Sequence, residues 1–165
     1  MKNSIRGVEN RGAPTLLEKE IEMGCDIHAH IEIKVNSEWL YYTQADIERS
    51  YNTFAKMAGV RNFQDNITPI AWGRGLPIDI SLMTKLHRKY WGLDGHSDSW
   101  LTYDEIVSLI DWMSDDNEGG FQSPEYIFFG ERVYLFGNTV YCWKKYPDEY
   151  PDFIEDIRLV FWFDN

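Results

Sequence analysis

Cys25-Asp26-Ile27-His28-Ala29-His30-Ile31-Glu32-Ile33-Lys34-Val35 alternates without a break. Cys25, Ile27, Ala29, Ile31, Ile33 and Val35 fall on one side; Asp26, His28, His30, Glu32 and Lys34 fall on the other. A period of two belongs to a strand with one buried face. Asn36-Ser37 supplies a turn, and residues 38–43, with Trp39 and Tyr41 sharing a face, read as the returning strand. The regular part of the chain therefore opens on a hairpin. Its far end repeats the pattern: in residues 156–163, Ile157, Leu159, Phe161 and Phe163 alternate with Arg158, Val160 and Trp162. Further strands are expected at 126–129, 132–136 and 139–143, the last two joined by Gly137-Asn138.

Helical spacing fills the middle. Residues 44–58 carry Ile47, Tyr51, Phe54, Ala55 and Ala58 on one stripe, and Gly59 ends it. Asp79 or Ser81 caps a second helix running to about Tyr90, with Ile80, Met83, Leu86 and Tyr90 as its apolar positions. Thr102-x-x-Glu105 is a capping-box signature, followed by Tyr103, Ile106, Val107, Ile110 and Met113 on one stripe. Two loops separate these segments, 61–77 and 92–99. The expected class is α+β: a mainly antiparallel sheet, built from the N-terminal hairpin and C-terminal strands, with two or three helices packed on it. A chain of 165 residues fits one domain, assigned to 23–165. Residues 1–22 mix charge with Gly and Pro and read as a flexible extension or an oligomer arm.

Composition narrows the partners. A formal net charge of −11 repels long nucleic acids, which are held mainly by Lys and Arg on phosphates. It leaves room for a small phosphorylated ligand, because a few arginines outweigh a distant acidic surface. No apolar run approaches the ~20 residues that span a bilayer, so no membrane partner is expected. Two cysteines, Cys25 and Cys142, make no disulfide framework, and the reading is a cytoplasmic protein. With 7 Trp, 10 Tyr and 9 Phe, most rings belong to the core, and one or two are expected to line a pocket.

Three constellations carry chemistry. Asp26, His28, His30 and Glu32 offer imidazole and carboxylate groups of the kind that Zn, Mn or Fe accept, although a solvated strand face is the plainer reading. Gly73-Arg74-Gly75, with Arg61 upstream, offers a planar guanidinium on a backbone that a ligand can approach. The segment from Trp91 to Trp100 combines His96, the Ser97 and Ser99 hydroxyls and the Asp94 and Asp98 carboxylates with two indoles, a set that can hydrogen-bond and stack with a small polar molecule. Ser and His beside one another suggest a nucleophile, but there is no Gly-x-Ser-x-Gly elbow.

Met23-Gly-Cys-Asp-Ile-His28, Val60-Arg-Asn62, Arg74-Gly-Leu-Pro77, Asp94-Gly-His-Ser97, Ser99-Trp-Leu-Thr102 and Arg158-Leu-Val-Phe-Trp-Phe-Asp-Asn165 together resemble a family of small bacteriophage and bacterial proteins that open Met-Gly-Cys-Asp-Ile-His and end in a Phe-Asp-Asn strand. The resemblance covers nearly all of 23–165. It brings no fixed activity; it implies an accessory role, such as a counter-defence sponge that captures a cyclic-nucleotide or ADP-ribose-type signal. The leading expectation is then a binding module for a small nucleotide-like ligand, held by Arg61, Arg74, Gly75, His96, Ser97, Ser99, Trp100 and Arg158, with no cofactor. If the last strand pairs with the first, Arg158 is expected beside Asp26 and His28 and held by Asp26. The alternative is a metal-dependent phosphodiesterase or other hydrolase with Asp26, His28 and His30 on a divalent ion, completed by His96 or Asp98. A third reading is an acidic inhibitor of a host enzyme. A homo-oligomer is compatible with all three.

Overall fold

The computed structural model describes residues 24–45, 47–63, 66–113 and 153–165. Strand β1 (Asp26–Val35) turns through Asn36-Ser37 into β2 (Glu38–Ala45). Both turn residues have positive φ, 50° and 65°, the pairing that lets a two-residue turn follow the strand twist. Helices α1 (Tyr51–Ala58) and α2 (Leu82–Tyr90) follow, then β3 (His96–Thr102), α3 (Tyr103–Trp112) and β4 (Asp156–Asp164). The sheet order is β2-β1-β4-β3, antiparallel throughout, with three helices packed on it, an α+β arrangement. The first and last strands of the described chain are thus central neighbours. The extension expected over 1–22 and the strands expected at 126–143 lie outside the described residues.

The alternation read from β1 sorts the two faces. Ala29, Ile31 and Ile33 join Ile157, Leu159, Phe161 and Phe163 of β4 and Leu101 of β3 in the buried core. Helices α1 and α3 close that face through Phe54, Met57, Ile106, Leu109 and Ile110. Each helix has a side-chain cap: the Ser50, Ser81 and Thr102 hydroxyls accept from the backbone N–H of Thr53, Thr84 and Glu105. Thr102 and Glu105 form both halves of the expected capping box. Gly59 ends α1 at φ 76°, donating its N–H to the Ala55 carbonyl.

Three elements differ from expectation. Helix α1 begins at Tyr51 rather than near 44, because Gln44 and Ala45 complete β2 on the His30 and Ala29 register and Ser50 caps the helix. Residues 96–99, expected as loop, begin the edge strand β3; a register irregularity between His96 and Ser99, with Ser97 at φ 53°, breaks the alternation that would have marked it. Helix α2 lies on the polar face of the sheet and is turned over. Thr84 is its buried residue, whereas Leu82, Met83, Leu86 and Tyr90 are exposed.

Candidate functional site

The polar face of β1 is not solvated where α2 covers it. Register pairs Asp26 with Asp164, His28 with Trp162, His30 with Val160 and Glu32 with Arg158. Residues two apart on a strand are ~7 Å apart, so each meets a different environment. Asp26, at the exposed end, is held by Arg49 at 2.8 and 2.6 Å. Glu32, 0% exposed, accepts from Arg158 Nε at 2.8 Å and from the Ser81 N–H at 3.1 Å. Arg158, 4% exposed, also donates to the Asp79 carboxylate at 2.7 Å and to its carbonyl at 2.9 Å. Arg158 is therefore held by Glu32 and Asp79, not Asp26, since antiparallel pairing puts it six residues from Asp164, which is the residue opposite Asp26. The Arg158 guanidinium holds the Asp79 carboxyl below its ordinary range.

Between these ends the two histidines open a cleft of about 250 Å³, lined by His28, His30, Gln44, His87, Tyr90, Trp91 and Trp162. Its floor is aromatic. The His28 ring contacts two indoles: Trp91, 3.9 Å away and tilted by 30°, and Trp162, 5.8 Å away and stacked at 25°. His30 meets Trp162, Tyr41 and His87 edge-on at 5.0, 5.1 and 4.9 Å. Its Nε2 lies 3.3 Å from His87 Nδ1, a hydrogen bond that needs one proton between two imidazoles. Burial pushes the His30 pKa down to about 4, with His87 and His28 adding to the effect, so the ring is neutral at physiological pH.

Three buried polar atoms on this lining have no hydrogen-bond partner among the described residues: His28 Nε2, His30 Nδ1 and Trp162 Nε1. His28 Nε2 does lie 3.4 Å from an Asp164 carboxylate oxygen, but that approach is not aligned as a hydrogen bond. An unmet buried donor or acceptor costs about 1–3 kcal/mol, and the three residues that carry these atoms line one cleft; the atoms lie just beneath its surface, so an occupant reaches them only with a small shift of the rings. The proton between His30 and His87 sets what the wall offers. If His30 donates through Nε2, its Nδ1 is an acceptor; if His87 donates, Nδ1 carries the proton and is a donor. Trp162 Nε1 is a donor in either case. Gln44 and the exposed Tyr90 add an amide and a phenol to the lining.

The expected ligand residues do not form one site. Arg74 donates to the Trp100 carbonyl at 3.1 Å and to Glu105 at 2.8 Å, and its guanidinium lies 5.3 Å from the Trp100 ring. Gly73 and Gly75 flank it at φ 68° and 71°, a doubled left-handed backbone that few other residues tolerate. Trp100 and Arg158 line a second pocket with Trp39. His96 and Ser97 lie four and three residues before Trp100 on β3, roughly 10–13 Å away along a strand. There His96 stacks over Phe163 and its Nδ1 is 2.9 Å from the Ser97 hydroxyl. Ser99 is buried and donates to the Ala71 carbonyl at 2.6 Å. Arg61 donates to the Asn165 side chain at 2.9 Å. Asp98 is paired with Arg88, which also holds the Gly92 and Gly95 carbonyls.

The metal set is divided in the same way: Asp26 turns to Arg49, and His96 lies over Phe163 on the core side of the sheet. Among the described residues no group of three or more His, Cys, Asp or Glu side chains is placed to hold a metal ion. Cys25 is a buried free thiol; burial pushes its pKa up, and a hydrogen bond with Arg61 partly offsets the rise. None of the helices among the described residues is long and apolar enough to cross a membrane. His87, Gln44 and Trp162 were not among the expected ligand residues, and Trp91 was named only as one of the two indoles of the 91–100 segment. Trp162 had left a signal, being a large ring on the polar side of an alternating strand; His87 had left none, since its helix is turned over. Comparison with protein-family models, with curated proteins and with solved structures returned no match.

Proposed function

We propose that the protein is a binding module that captures a small nucleotide-like ligand by its base, in the His28–His30–Trp162 cleft. The observation that carries this reading is the group of unmet polar atoms on an aromatic wall. A heterocyclic base has in-plane donors and acceptors to satisfy them and a π-face to lie against rings such as Trp91. The cleft's size supports a single base or nucleoside, since it falls below the roughly 300–1,000 Å³ of drug-sized pockets. No Arg or Lys is among its lining residues, and Arg74, Arg88 and Arg158 are each engaged by carboxylates. A phosphate group of the ligand therefore remains in solvent in this reading, and affinity comes from the base. With the accessory role implied by the family resemblance, such a module sequesters a cyclic-nucleotide or ADP-ribose-type defence signal.

The test is capture and release. The protein is incubated with nucleosides, cyclic mononucleotides and ADP-ribose, free ligand is removed by filtration, and the protein is heat-denatured. Return of an intact ligand, with capture lost in Trp162→Phe, is the expected result. A ligand returned cleaved points to an enzyme instead, and depletion of none of these compounds refutes the reading.

A further inference from the structure

A second pocket, of about 350 Å³, lies on the same face of the sheet near the N-terminal end of α2. Its walls are Trp39, Trp100, Asp79, Asp156, Arg158 and the Pro77-Ile78 turn, among others. Nothing in the proposed function uses it.

The electrostatics of this pocket exclude an anion. Arg158 is the cation in its wall, and its charge is already met by two carboxylates: Nε donates to Glu32, and the two terminal nitrogens donate to the Asp79 carboxylate and carbonyl. An incoming phosphate or carboxylate would find no uncommitted cation on Arg158 and would face Asp79 and Asp156. The Asp79 side chain is 60% exposed, so its carboxylate still meets solvent after pairing with Arg158.

The two indoles point the other way. The Arg158 guanidinium lies 4.0 Å from the centre of the Trp39 ring, and the Lys34 ammonium lies 5.9 Å from it. Arg74 stands 5.3 Å from the Trp100 ring. Trp39 thus already carries Arg158 and Lys34, and Trp100 carries Arg74; the rings suit cations, and a ligand has the ring surface that these side chains leave open towards the pocket. Around them Arg158, Lys34 and Arg74 are outnumbered by Glu32, Asp79, Asp156 and Glu105. The chain's charge of −11 adds a long-range field that concentrates cations at such a mouth.

We infer that the Trp39–Trp100 pocket binds an organic cation of the alkylammonium or alkylguanidinium class. The cation lies against indole, and its charge is balanced by the Asp79 and Asp156 carboxylates. The site is separate from the His28–Trp162 cleft, and either can fail without the other.

Calorimetric titration with choline, agmatine and spermidine tests this, with the uncharged carbon isostere of choline as control. At least one cation is expected to bind, and the isostere at least about tenfold more weakly than choline if choline is that cation. Trp100→Leu should weaken binding about tenfold, and Asp156→Asn, a milder change at the pocket mouth, should weaken it and reduce its salt dependence. Trp162→Phe should leave it unchanged. Absence of binding by all three cations overturns the inference. So does a neutral isostere that binds as well as choline, or binding that both pocket variants leave intact.

Discussion

Lowering the pH tests the burial of His30 directly. The ring is 3% exposed and its pKa in the folded protein is pushed down to about 4, against an ordinary value of 6.5. Above 6.5 both folded and unfolded chains carry a neutral ring, and His30 contributes no pH dependence. Between 6.5 and about 4 the unfolded chain takes up the proton and the folded chain does not, so stability falls as the pH falls. Integrated over that window the loss is on the order of 3 kcal/mol, and about 2.5 kcal/mol of it has accrued by about pH 4.5. Urea unfolding followed by circular dichroism, at steps from about pH 7 to about pH 4.5, measures the loss. Many carboxylates titrate in the same range, so the quantity of interest is the difference between the wild type and His30→Gln. Glutamine can keep a hydrogen bond to His87 and does not titrate. The stability difference between the two proteins should shift by about 2.5 kcal/mol in the variant's favour across that range. A difference that stays constant with pH refutes the assignment of a buried, neutral imidazole.

Three further outcomes follow from the geometry. Arg158→Met leaves Glu32 buried without its charge partner and should cost about 3–5 kcal/mol in chemical denaturation, whereas the Glu32→Leu, Arg158→Met double variant should recover much of that loss. Gly59→Ala puts a side chain at φ 76°, where the added carbon meets only ordinary contacts at 3.5 Å and beyond; the loss of about 1–2 kcal/mol should come from backbone strain alone and lower the melting temperature. Trp162→Phe removes an unmet indole N–H, so the folded protein should lose less than about 2 kcal/mol while ligand capture in the His28–Trp162 cleft disappears.

The legible part of the fold was the part governed by local rules. Alternation from Cys25 to Val35 placed β1 and its core face, and the same alternation placed β4. The Thr102-x-x-Glu105 box marked the start of α3 to the residue, because capping depends on side chains only three positions apart. Helix α2 was legible as a helix and misread in orientation. Its apolar positions, Met83, Leu86 and Tyr90, are exposed. Its inward side instead follows the polar face of β1, which supplies Glu32 to the Ser81 N–H and His30 to His87. That choice is made by tertiary partners, and no period within the helix encodes it. The edge strand β3 was hidden by its irregularity at Ser97.

The candidate site divided along the same line. His28 and His30 were identified from the strand itself, because two imidazoles on one face are visible at spacing two. Their partners come from elsewhere: His87 lies 57 residues along the chain from His30, and Glu32 and Arg158 are 126 apart. The arginines misled for a physical reason. On a chain with 27 acidic residues against 16 Lys and Arg, a guanidinium finds a carboxylate within the fold, as Arg49, Arg74, Arg88 and Arg158 all do. Residue type alone could not distinguish an arginine awaiting a phosphate from one already paired.

The central claim is that the unmet nitrogens of the His28–Trp162 cleft receive a base. Nitrogen-15 resonances of the Trp162 indole and the His30 imidazole report that contact atom by atom, in wild-type protein titrated with adenosine, guanosine, cytidine, uridine and ADP-ribose. The account predicts that at least one of these compounds shifts Trp162 Nε1 and His30 Nδ1 together, as both gain hydrogen-bond partners. If both nitrogens keep their free-protein resonances in the presence of every compound, the cleft is not a base-binding site and the claim is wrong.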